Sequence, residues 1–495
     1  MNEVIVKMDQ PQGLINRNIY GHFAEHVGRG IYDGIWVGPR SPIPNTRGIR
    51  KDVVAALKRL NVPVLRWPGG CFADKYHWKD GIGPRRKRPR GLYLHWDRTL
   101  IESNHFGTHE FMDLCSLLGC EPYVCGNVGS GTPQEMAEWI EYLTSDADTA
   151  LANLRRKHGR PRPWQLKYFG IGNESWGCGG NMRPEFYADN YLRYNTYVKD
   201  YAGNRIERIG CGAGDFHNEQ NWTDPVMRLA GDAMNGLALH YYAIPTGKWD
   251  RGQKGAATGF PVAQWHSTLW RALRLDEVMT KHSTVMDRYD PGKRVGMVVD
   301  EWGTWYDVEP GANPAWLYQQ NTIRDALAAA VSFHIFHKHH ARVTMANIAQ
   351  MVNVLQAMIL TDREKMILTP TYHVFEMFKV HQGATYIPVQ IGTRDLGEDG
   401  EKHPAIDAGA SRDQDGRLHL SLVNLHPDKS EAVVVKLKAD KIVGRLLTGT
   451  AIDSHNTFES PAEVAPMRFA AVQVKGDRLE LELPPRSVVM LEAVS

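Results

Sequence analysis

A regular alternation of short apolar segments with longer helical patterns, from about residue 15 to residue 385, restricts the fold more than any other feature. Such alternation predicts a parallel sheet, because parallel strands need crossover connections and helices supply them. Units of roughly 40 residues fit a (β/α)8 TIM barrel with enlarged loops. The eight predicted strands are residues 19–22, 62–68, 122–126, 166–172, 206–212, 237–242, 294–299 and 343–346.

Helical periodicity fills the intervals between these segments. A doubly wound sheet is the alternative to a barrel, and it would be favoured by a GxGxxG fingerprint after the first strand. No such fingerprint is present, and the GNVGSG segment at 126–131 has the wrong spacing. The predicted helices are residues 47–60, 107–118, 133–143, 184–200, 262–289 and 318–337.

The pattern changes after about residue 385 to short strands separated by turn signals such as Asp415-Gly416 and Pro484-Pro485. This pattern predicts an antiparallel, jelly-roll-like β-sandwich over 386–495, following a barrel over 15–385. The segment 1–14 holds a strand that can pair with the sandwich. The strands predicted in the C-terminal region are residues 418–423, 432–437, 445–448, 469–474, 479–483 and 488–492.

Composition excludes several classes of protein. The chain carries 58 Lys and Arg against 56 Asp and Glu, so its net charge of +2 favours neither nucleic acid nor an anionic membrane. Without a long apolar run, we expect no membrane span. The N-terminus lacks the features of a signal peptide, so we expect a cytoplasmic protein. No CxxC pair occurs, and we expect all six cysteines as free thiols: Cys71, Cys115, Cys120, Cys125, Cys178 and Cys211.

Two glutamates are the candidate catalytic groups. Glu174 follows the fourth predicted strand and Glu301 follows the seventh, each directly before or near a tryptophan. In a barrel, chemistry lies at the carboxyl ends of the strands, and strands four and seven are roughly opposite. Cleavage of an acetal needs one acid to protonate the leaving oxygen and one carboxylate to attack or to activate water. The alternative for either residue is a solvated loop carboxylate or a helix cap.

Longer segments resemble glycoside hydrolase family 51, the α-L-arabinofuranosidases of clan A, over essentially the whole chain. The resemblance implies a retaining, exo-acting hydrolase that removes terminal, non-reducing L-arabinofuranosyl units from arabinan, arabinoxylan and their oligosaccharides. It implies no metal or organic cofactor, and a homo-oligomer, commonly a hexamer. The segments are INRNIYGHFAEHVGRGIYDGIWVG (15–38), RWPGGCFADKYHWKDGIGP (66–84), GIGNESWGCGG (170–180), VVDEWGTWYD (298–307) and ANIAQMVNVLQAMI (346–359).

The resemblance also implies a role for each matching residue. Glu174 would be the general acid/base and Glu301 the nucleophile. Arg66 would hold Glu301 ionised, and His240 would bridge towards the acid/base. Cys71 stands where relatives often have Asn, so a backbone contact with substrate is expected there. The residues expected to bind furanose hydroxyls are Glu25, Asn173, Tyr242 and Gln350, and those expected to wall the pocket are Trp176 and Trp302.

Three other functions remain open at this stage. An endo-acting glucanase or xylanase, or a β-xylosidase, would use the same fold and the same pair of carboxylates. A non-catalytic carbohydrate-binding protein is the alternative from another class. Analysis of the released products would separate these functions.

Overall fold

The computed structural model describes residues 2–95, 98–214, 217–439 and 441–494. Eight parallel strands close into a barrel in chain order, which confirms the predicted fold. The seventh strand extends beyond its predicted end, so Glu301 lies within it. The strands are Gly21–Phe23, Val64–Trp67, Glu121–Gly126, Tyr168–Ile171, Glu207–Ala213, Gly236–Ala243, Gly296–Thr304 and Val343–Ile348.

The inside of the barrel is built in layers. Side chains two residues apart on a strand point to the same side, so Arg66, His240 and Asp300 form the layer above the apolar one, towards the carboxyl ends of the strands. Polar residues thus line the upper end of a barrel that is closed by apolar side chains below. The apolar layer takes one residue from each of seven strands: Val64, Tyr123, Tyr168, Ile209, Ala238, Val298 and Met345.

A β-bulge in the seventh strand changes this alternation locally. Ala238 pairs with Val298, but His240 pairs with Glu301, so the seventh strand carries one extra residue at this point. Asp300 and Glu301 are consecutive, yet both reach the same guanidinium inside the barrel. The bulge therefore brings two carboxylates to a position where regular alternation would supply one.

Helices surround the barrel. The helix predicted over 262–289 is two helices that meet at Arg274, and three short helices were not predicted: Ala150–Lys157, Asp224–Ala230 and Pro370–Phe378. Ile323–Lys338 is buried almost throughout, because it lies between the barrel and the C-terminal sheets. The other α-helices are Lys51–Arg59, Thr108–Leu118, Pro133–Thr144, Pro184–Asn195, Val262–Leu273 and Leu275–Tyr289.

Two sheets form the C-terminal sandwich, as predicted. The N-terminal strand Asn2–Val6 joins the first sheet, parallel to Glu431–Lys436 and antiparallel to Val389–Gly392. The boundary expected after residue 385 falls inside the strand Thr385–Ile387. The first sheet also contains Arg478–Leu483 and Val472–Lys475, and the second contains Thr385–Ile387, Ile406–Arg412, Leu418–Asn424, Ser487–Val494, Lys441–Leu447 and Met467–Phe469.

Short elements complete the described chain. No helix in its described ranges combines the length and the apolar character needed to cross a membrane. Four two-stranded hairpins are Asn45–Thr46 with Ile49–Arg50, Gly91–His95 with Arg98–Glu102, Ile359–Asp362 with Lys365–Leu368, and Asp395–Leu396 with His403–Pro404. The 3-10 and π turns are Arg17–Tyr20, Ala73–Lys75, Trp78–Gly81, Arg85–Lys87, Glu219–Thr223, Gly231–Ala233, Pro314–Trp316 and Lys379–His381.

Buried histidines lie between the barrel helices and the sandwich. His381 Nδ1 lies 2.7 Å from Ser411 Oγ, and its ring centroid lies 5.0 Å from that of His337. Burial lowers the pKa of both histidines well below its ordinary value, and the neighbouring imidazoles lower it further. The interface between the barrel and the sandwich therefore depends on neutral imidazoles.

Acidification is expected to destabilise this interface. An unfolded histidine takes up a proton near its ordinary pKa of 6.5, whereas folded His381 stays neutral. Unfolding then binds a proton, and each such histidine reduces the free energy of unfolding by at most about 1.4 kcal/mol per pH unit below that value. The apparent Tm, measured between about pH 7.5 and 5.5, should fall less steeply for His381→Gln than for the wild type. Equal slopes would contradict this account.

Candidate active site

A buried arginine connects three of the barrel strands. Arg66 is fully buried, and its Nη1 donates to Glu301 Oε1 over 3.0 Å and to the backbone oxygen of Asp300 over 3.1 Å. Its Nη2 donates to Asn173 Oδ1 over 2.6 Å, and its Nε lies 3.2 Å from Asp300 Oδ2. The guanidinium also stacks over the Phe23 ring at 4.4 Å. From the second strand, this one cation thus orients side chains of the first, fourth and seventh strands.

Glu301 is held at both carboxylate oxygens. Oε1 accepts from Arg66, and Oε2 accepts from the Tyr242 hydroxyl over 2.8 Å. Burial, and then the charge of Glu301, raise the pKa of Tyr242 well above its ordinary value, so its hydroxyl stays a donor. Arg66 and Tyr242 thus donate to opposite oxygens of Glu301, and these two donors fix the orientation of its carboxyl group.

His240 bridges two carboxylates. Its Nδ1 lies 2.8 Å from Glu174 Oε1 and its Nε2 lies 3.1 Å from Asp300 Oδ1. Both ring nitrogens can donate only in the imidazolium form. Burial lowers the pKa of His240, but Glu301, Asp300 and Glu174 together raise it well above its ordinary value. His240 is therefore a cation that connects the fourth strand to the seventh.

The second glutamate has a different environment. Burial is the main cause that raises the pKa of Glu174, the charge of Glu301 adds to it, and the hydrogen bond from His240 opposes it. The side chain of Glu174 is 19% exposed, against 8% for Glu301. One carboxylate oxygen of each lies within 4.8 Å of the other. The two carboxyl groups thus face each other, with a raised pKa on the more exposed one.

A third carboxyl group closes the inner end of the site. Glu25 Oε1 accepts from the backbone N–H of Gly70 over 3.1 Å, and its Oε2 accepts from Gln350 Nε2 over 2.8 Å. Burial, and then the charge of Glu301, raise the pKa of Glu25 to about 7. Polar groups of the first, second and eighth strands therefore converge on the pocket around Glu301.

Most of the predicted site residues come together, but Trp302 does not line the pocket. Its indole packs outside the barrel against Phe333 and Phe336, at centroid distances of 5.5 and 5.1 Å. The reason is the strand alternation, since a neighbour of the inward-facing Glu301 points outward. Trp176 lies at the rim, where its Nε1 donates to the backbone oxygen of Gly212 over 3.1 Å. The predicted residues that meet at this site are Glu25, Arg66, Asn173, Glu174, His240, Tyr242, Glu301 and Gln350.

Cys71 forms a disulfide bond with Cys178, and the expectation of six free thiols is therefore wrong for these two residues. The bond connects segments 107 residues apart, which follow the second and the fourth strands. Only the barrel brings these loops together, so the sequence offered no sign of the pairing. Because its sulfur is bonded to Cys178, Cys71 has no free thiol. The free cysteines among the described residues are Cys115, Cys120, Cys125 and Cys211.

Two acidic residues of the network were not predicted. Asp300 binds Arg66 and His240, and its Oδ2 accepts from the Tyr123 hydroxyl over 2.8 Å. Burial alone would raise the pKa of Asp300, but Arg66 and His240 lower it below its ordinary value. Asp74 Oδ2 accepts from Asn173 Nδ2 over 3.2 Å, and burial raises its pKa to about 7. The sequence shows Asp300 next to Glu301, which could have marked Asp300 as a further candidate for the site. It does not show the β-bulge that turns both side chains inward.

Two groups of side chains in the described ranges have the donor atoms of a metal site. One contains Cys71, Cys178 and Glu174, and the other contains Glu174, His240 and Glu301. Both sulfurs of the first are in the disulfide, so neither is a thiolate ligand. In the second, His240 already lies between the carboxylates at hydrogen-bond distance. The second group is therefore arranged as a proton-sharing network.

Glu301, which is ion-paired with Arg66, faces Glu174, whose pKa is raised, at the carboxyl ends of the barrel strands. Hydrolysis of an acetal requires such a pair of carboxyl groups. The chain is thus a glycoside hydrolase by fold and site. The comparisons narrow the class: residues 56–251 match the "Alpha-L-arabinofuranosidase 1 domain" model and residues 300–487 the "Alpha-L-arabinofuranosidase C-terminal domain" model. The chain belongs to glycoside hydrolase family 51, the α-L-arabinofuranosidases.

Relatives support this assignment over the full length. An intracellular exo-alpha-L-arabinofuranosidase of Bacteroides ovatus is 51% identical over 99% of this chain and 95% of its own. The GH51 arabinofuranosidase of Xanthomonas axonopodis pv. citri superposes with a TM-score of 0.97 at 50% identity, covering 100% of this chain and 99% of its own. The Thermotoga maritima enzyme, solved as an arabinose complex, gives 0.86 at 31% identity and full coverage of both chains.

The contact between Tyr242 and Glu301 can be tested by one conservative change. Tyr242→Phe keeps the ring, which packs against Trp305 at 5.0 Å, and removes the hydroxyl that donates to Glu301. A hydrogen bond to a charged group contributes about 1.5–3 kcal/mol, so kcat/KM should fall roughly 10- to 100-fold. The apparent Tm should change little. Full activity in the variant would show that this hydroxyl does not support the carboxylate.

Proposed function

We propose that the chain is a retaining, exo-acting α-L-arabinofuranosidase. The observation that carries this proposal is the pair Glu174 and Glu301, each with a carboxylate oxygen within 4.8 Å of the other. Retaining glycosidases place their carboxyl groups about 5–5.5 Å apart, whereas inverting ones leave room for a water at about 6.5–9.5 Å. The short separation favours double displacement. Arabinan, arabinoxylan and their oligosaccharides are the proposed substrates.

In the first step, Glu301 attacks the anomeric carbon of the terminal arabinofuranosyl unit. The bond from this carbon to the glycosidic oxygen breaks, and that oxygen takes the proton of Glu174 as the leaving alcohol departs. Arg66 and Tyr242 orient the attacking carboxylate. The raised pKa of Glu174 keeps the proton available until it is needed.

In the second step, water attacks the same carbon and gives its proton to Glu174. The ester to Glu301 breaks, so one water is consumed and both glutamates return to their starting states. While the ester exists, Glu301 carries no charge, and one cause that raises the pKa of Glu174 is absent. Glu174 can then act as a base, and the same residue serves both steps.

The distribution of burial supports action at chain ends. Glu25 and Gln350 are buried, with 5% and 2% of each residue exposed, whereas Glu174 is partly exposed. Exposure therefore rises from the Glu25–Gln350 end, where the sugar ring would lie, towards the acid that meets the leaving group. A site closed at one end accepts one terminal sugar. Glu25, Asn173, Tyr242 and Gln350 are the proposed partners of its hydroxyls.

Cellular context completes the proposal. The Bacteroides ovatus relative is named as intracellular. We place this enzyme in the cytoplasm, where it would act on imported oligosaccharides, and we expect a homo-oligomer, with a hexamer as the form that the family resemblance implies. No metal or organic cofactor enters either step.

Replacing the nucleophile tests the mechanism. Glu301→Ala should lose nearly all turnover, because the covalent intermediate cannot form. Azide should restore activity and yield a glycosyl azide of inverted configuration, identified by NMR. Full activity without azide would end this assignment.

Glu174→Ala is the matched variant. It should retain most of kcat/KM on 4-nitrophenyl arabinofuranoside, whose leaving group needs little protonation in the first step, and lose roughly 100-fold or more of kcat/KM on alkyl or sugar leaving groups. Azide should give the product of retained configuration with this variant. Opposite stereochemistry from the two variants distinguishes the two roles.

Product analysis separates the proposal from its alternatives. A panel of linkage-defined arabino-oligosaccharides should release only free arabinose. Internal cleavage of xylan or glucan, with oligosaccharides as first products, would indicate the endo-acting alternative. Release of xylose as the main product would indicate a β-xylosidase, and binding without release of reducing sugar would indicate a carbohydrate-binding protein.

A further inference from the structure

We propose that the Cys71–Cys178 disulfide is a redox modification site that positions Glu174, and that a dithiol reductant, by opening it, slows the step in which the leaving group is protonated. This inference rests on the proposed role of Glu174 as acid/base. It gives a function to the only pair of cysteines that the described residues join by a bond.

The disulfide lies directly against the acid. Cys178 Sγ is 3.6 Å and Cys71 Sγ is 3.9 Å from Glu174 Oε2. The Cα atoms of the two cysteines are 5.6 Å apart, and the bond ties the loop after the second strand to the loop after the fourth. One oxygen of Glu174 thus faces His240, and the other faces the two sulfurs.

Glycines surround both cysteines. Cys71 follows Gly69-Gly70, and Cys178 lies within Gly177-Cys178-Gly179-Gly180. Glycine has the greatest backbone freedom of any residue, so these segments need an external constraint to hold one conformation. The backbone N–H groups of Gly177 and Gly179 both donate to the backbone oxygen of Glu174, over 2.8 and 2.9 Å. A constraint on Cys178 is therefore also a constraint on Glu174.

The closed bond also affects the chemistry of Oε2. Disulfide sulfurs carry no hydrogen, so they cannot donate to this oxygen, whereas each free thiol is a weak donor. Donors favour the carboxylate, so opening the bond should lower the pKa of Glu174. The carboxyl would then lose its proton at a lower pH than in the closed form. The other titratable and charged groups that act on Glu174 are His240, Glu301, Arg66, Asp74, Tyr93, Tyr242 and Cys211.

The bond is accessible to a reductant. Cys178 is exposed and Cys71 is partly exposed, whereas Cys115, Cys125 and Cys211 are buried. A dithiol would transfer two electrons and two protons: the bond between the sulfurs breaks, Cys71 and Cys178 become thiols, and the reductant becomes a cyclic disulfide. Disulfides in reducing compartments are commonly catalytic or redox-sensing, which suits a modification site in an enzyme proposed to be cytoplasmic.

The experiment compares oxidised, dithiol-reduced and reoxidised enzyme. Thiols are counted with a colorimetric reagent in denaturant, and reduction should add two. Reduction should lower kcat/KM on an alkyl arabinofuranoside roughly 10-fold or more, change it less than about twofold on the 4-nitrophenyl substrate, and move the basic limb of the pH profile to lower pH. Reoxidation should restore all three readouts.

Variants keep the result interpretable. Cys71→Ser with Cys178→Ser should resemble the reduced enzyme and ignore the reductant, while Cys120→Ser, at a free cysteine remote from the site, should respond as the wild type does. Identical pH profiles and leaving-group dependence after two thiols have appeared would overturn the proposal. So would a bond that the dithiol does not open, or enzyme purified with six thiols. If Glu174→Ala shows no leaving-group dependence, the proposed acid/base role itself fails, whatever the thiol count.

Discussion

The buried charge of Arg66 is the constraint on which the site depends. A guanidinium in a barrel interior is tolerated only with full compensation, and Asp300, Glu301 and Asn173 provide it from the fourth and seventh strands. Removing a partner of a buried ion pair costs about 3–5 kcal/mol, because the remaining charge stays uncompensated. The same contacts that hold Arg66 in the barrel therefore also hold the Glu301 side chain in place. Stability and catalytic geometry have one cause here.

A second cation accounts for the difference between the two glutamates. His240 lies between Glu174 and Asp300, and Asp300 also accepts from Tyr123. Both Arg66 and His240 stabilise the carboxylate of Asp300, so the pKa of Asp300 is lowered. Glu174, at the open end of the network, keeps a raised pKa. The position of Glu174 in the network, rather than its residue type, thus sets its raised pKa.

Local patterns were sufficient for much of the architecture. All eight barrel strands and the change to a sandwich were predicted, because strand alternation and turn residues act over short range. Glu174 and Glu301 were candidates because each follows a predicted apolar strand, whereas the role expected of Arg66 came from the family resemblance. Trp302 was assigned wrongly, since its neighbour Glu301 faces inward and it therefore faces out. The long helix over 262–289 was likewise read as one, because continuous periodicity conceals the break at Arg274.

The order of strands, the residue types at their carboxyl ends and the two carboxylates are properties of the sequence itself, since each depends on neighbours along the chain. The bulge that turns both Asp300 and Glu301 inward, the position of His240 between two acids and the Cys71–Cys178 bond are decided by tertiary structure. Each of these involves segments on, or directly after, different strands, and no local pattern specifies the register of one strand against the next. The closed barrel sets that register, and it thereby determines that Glu174 has a raised pKa while Asp300 has a lowered one.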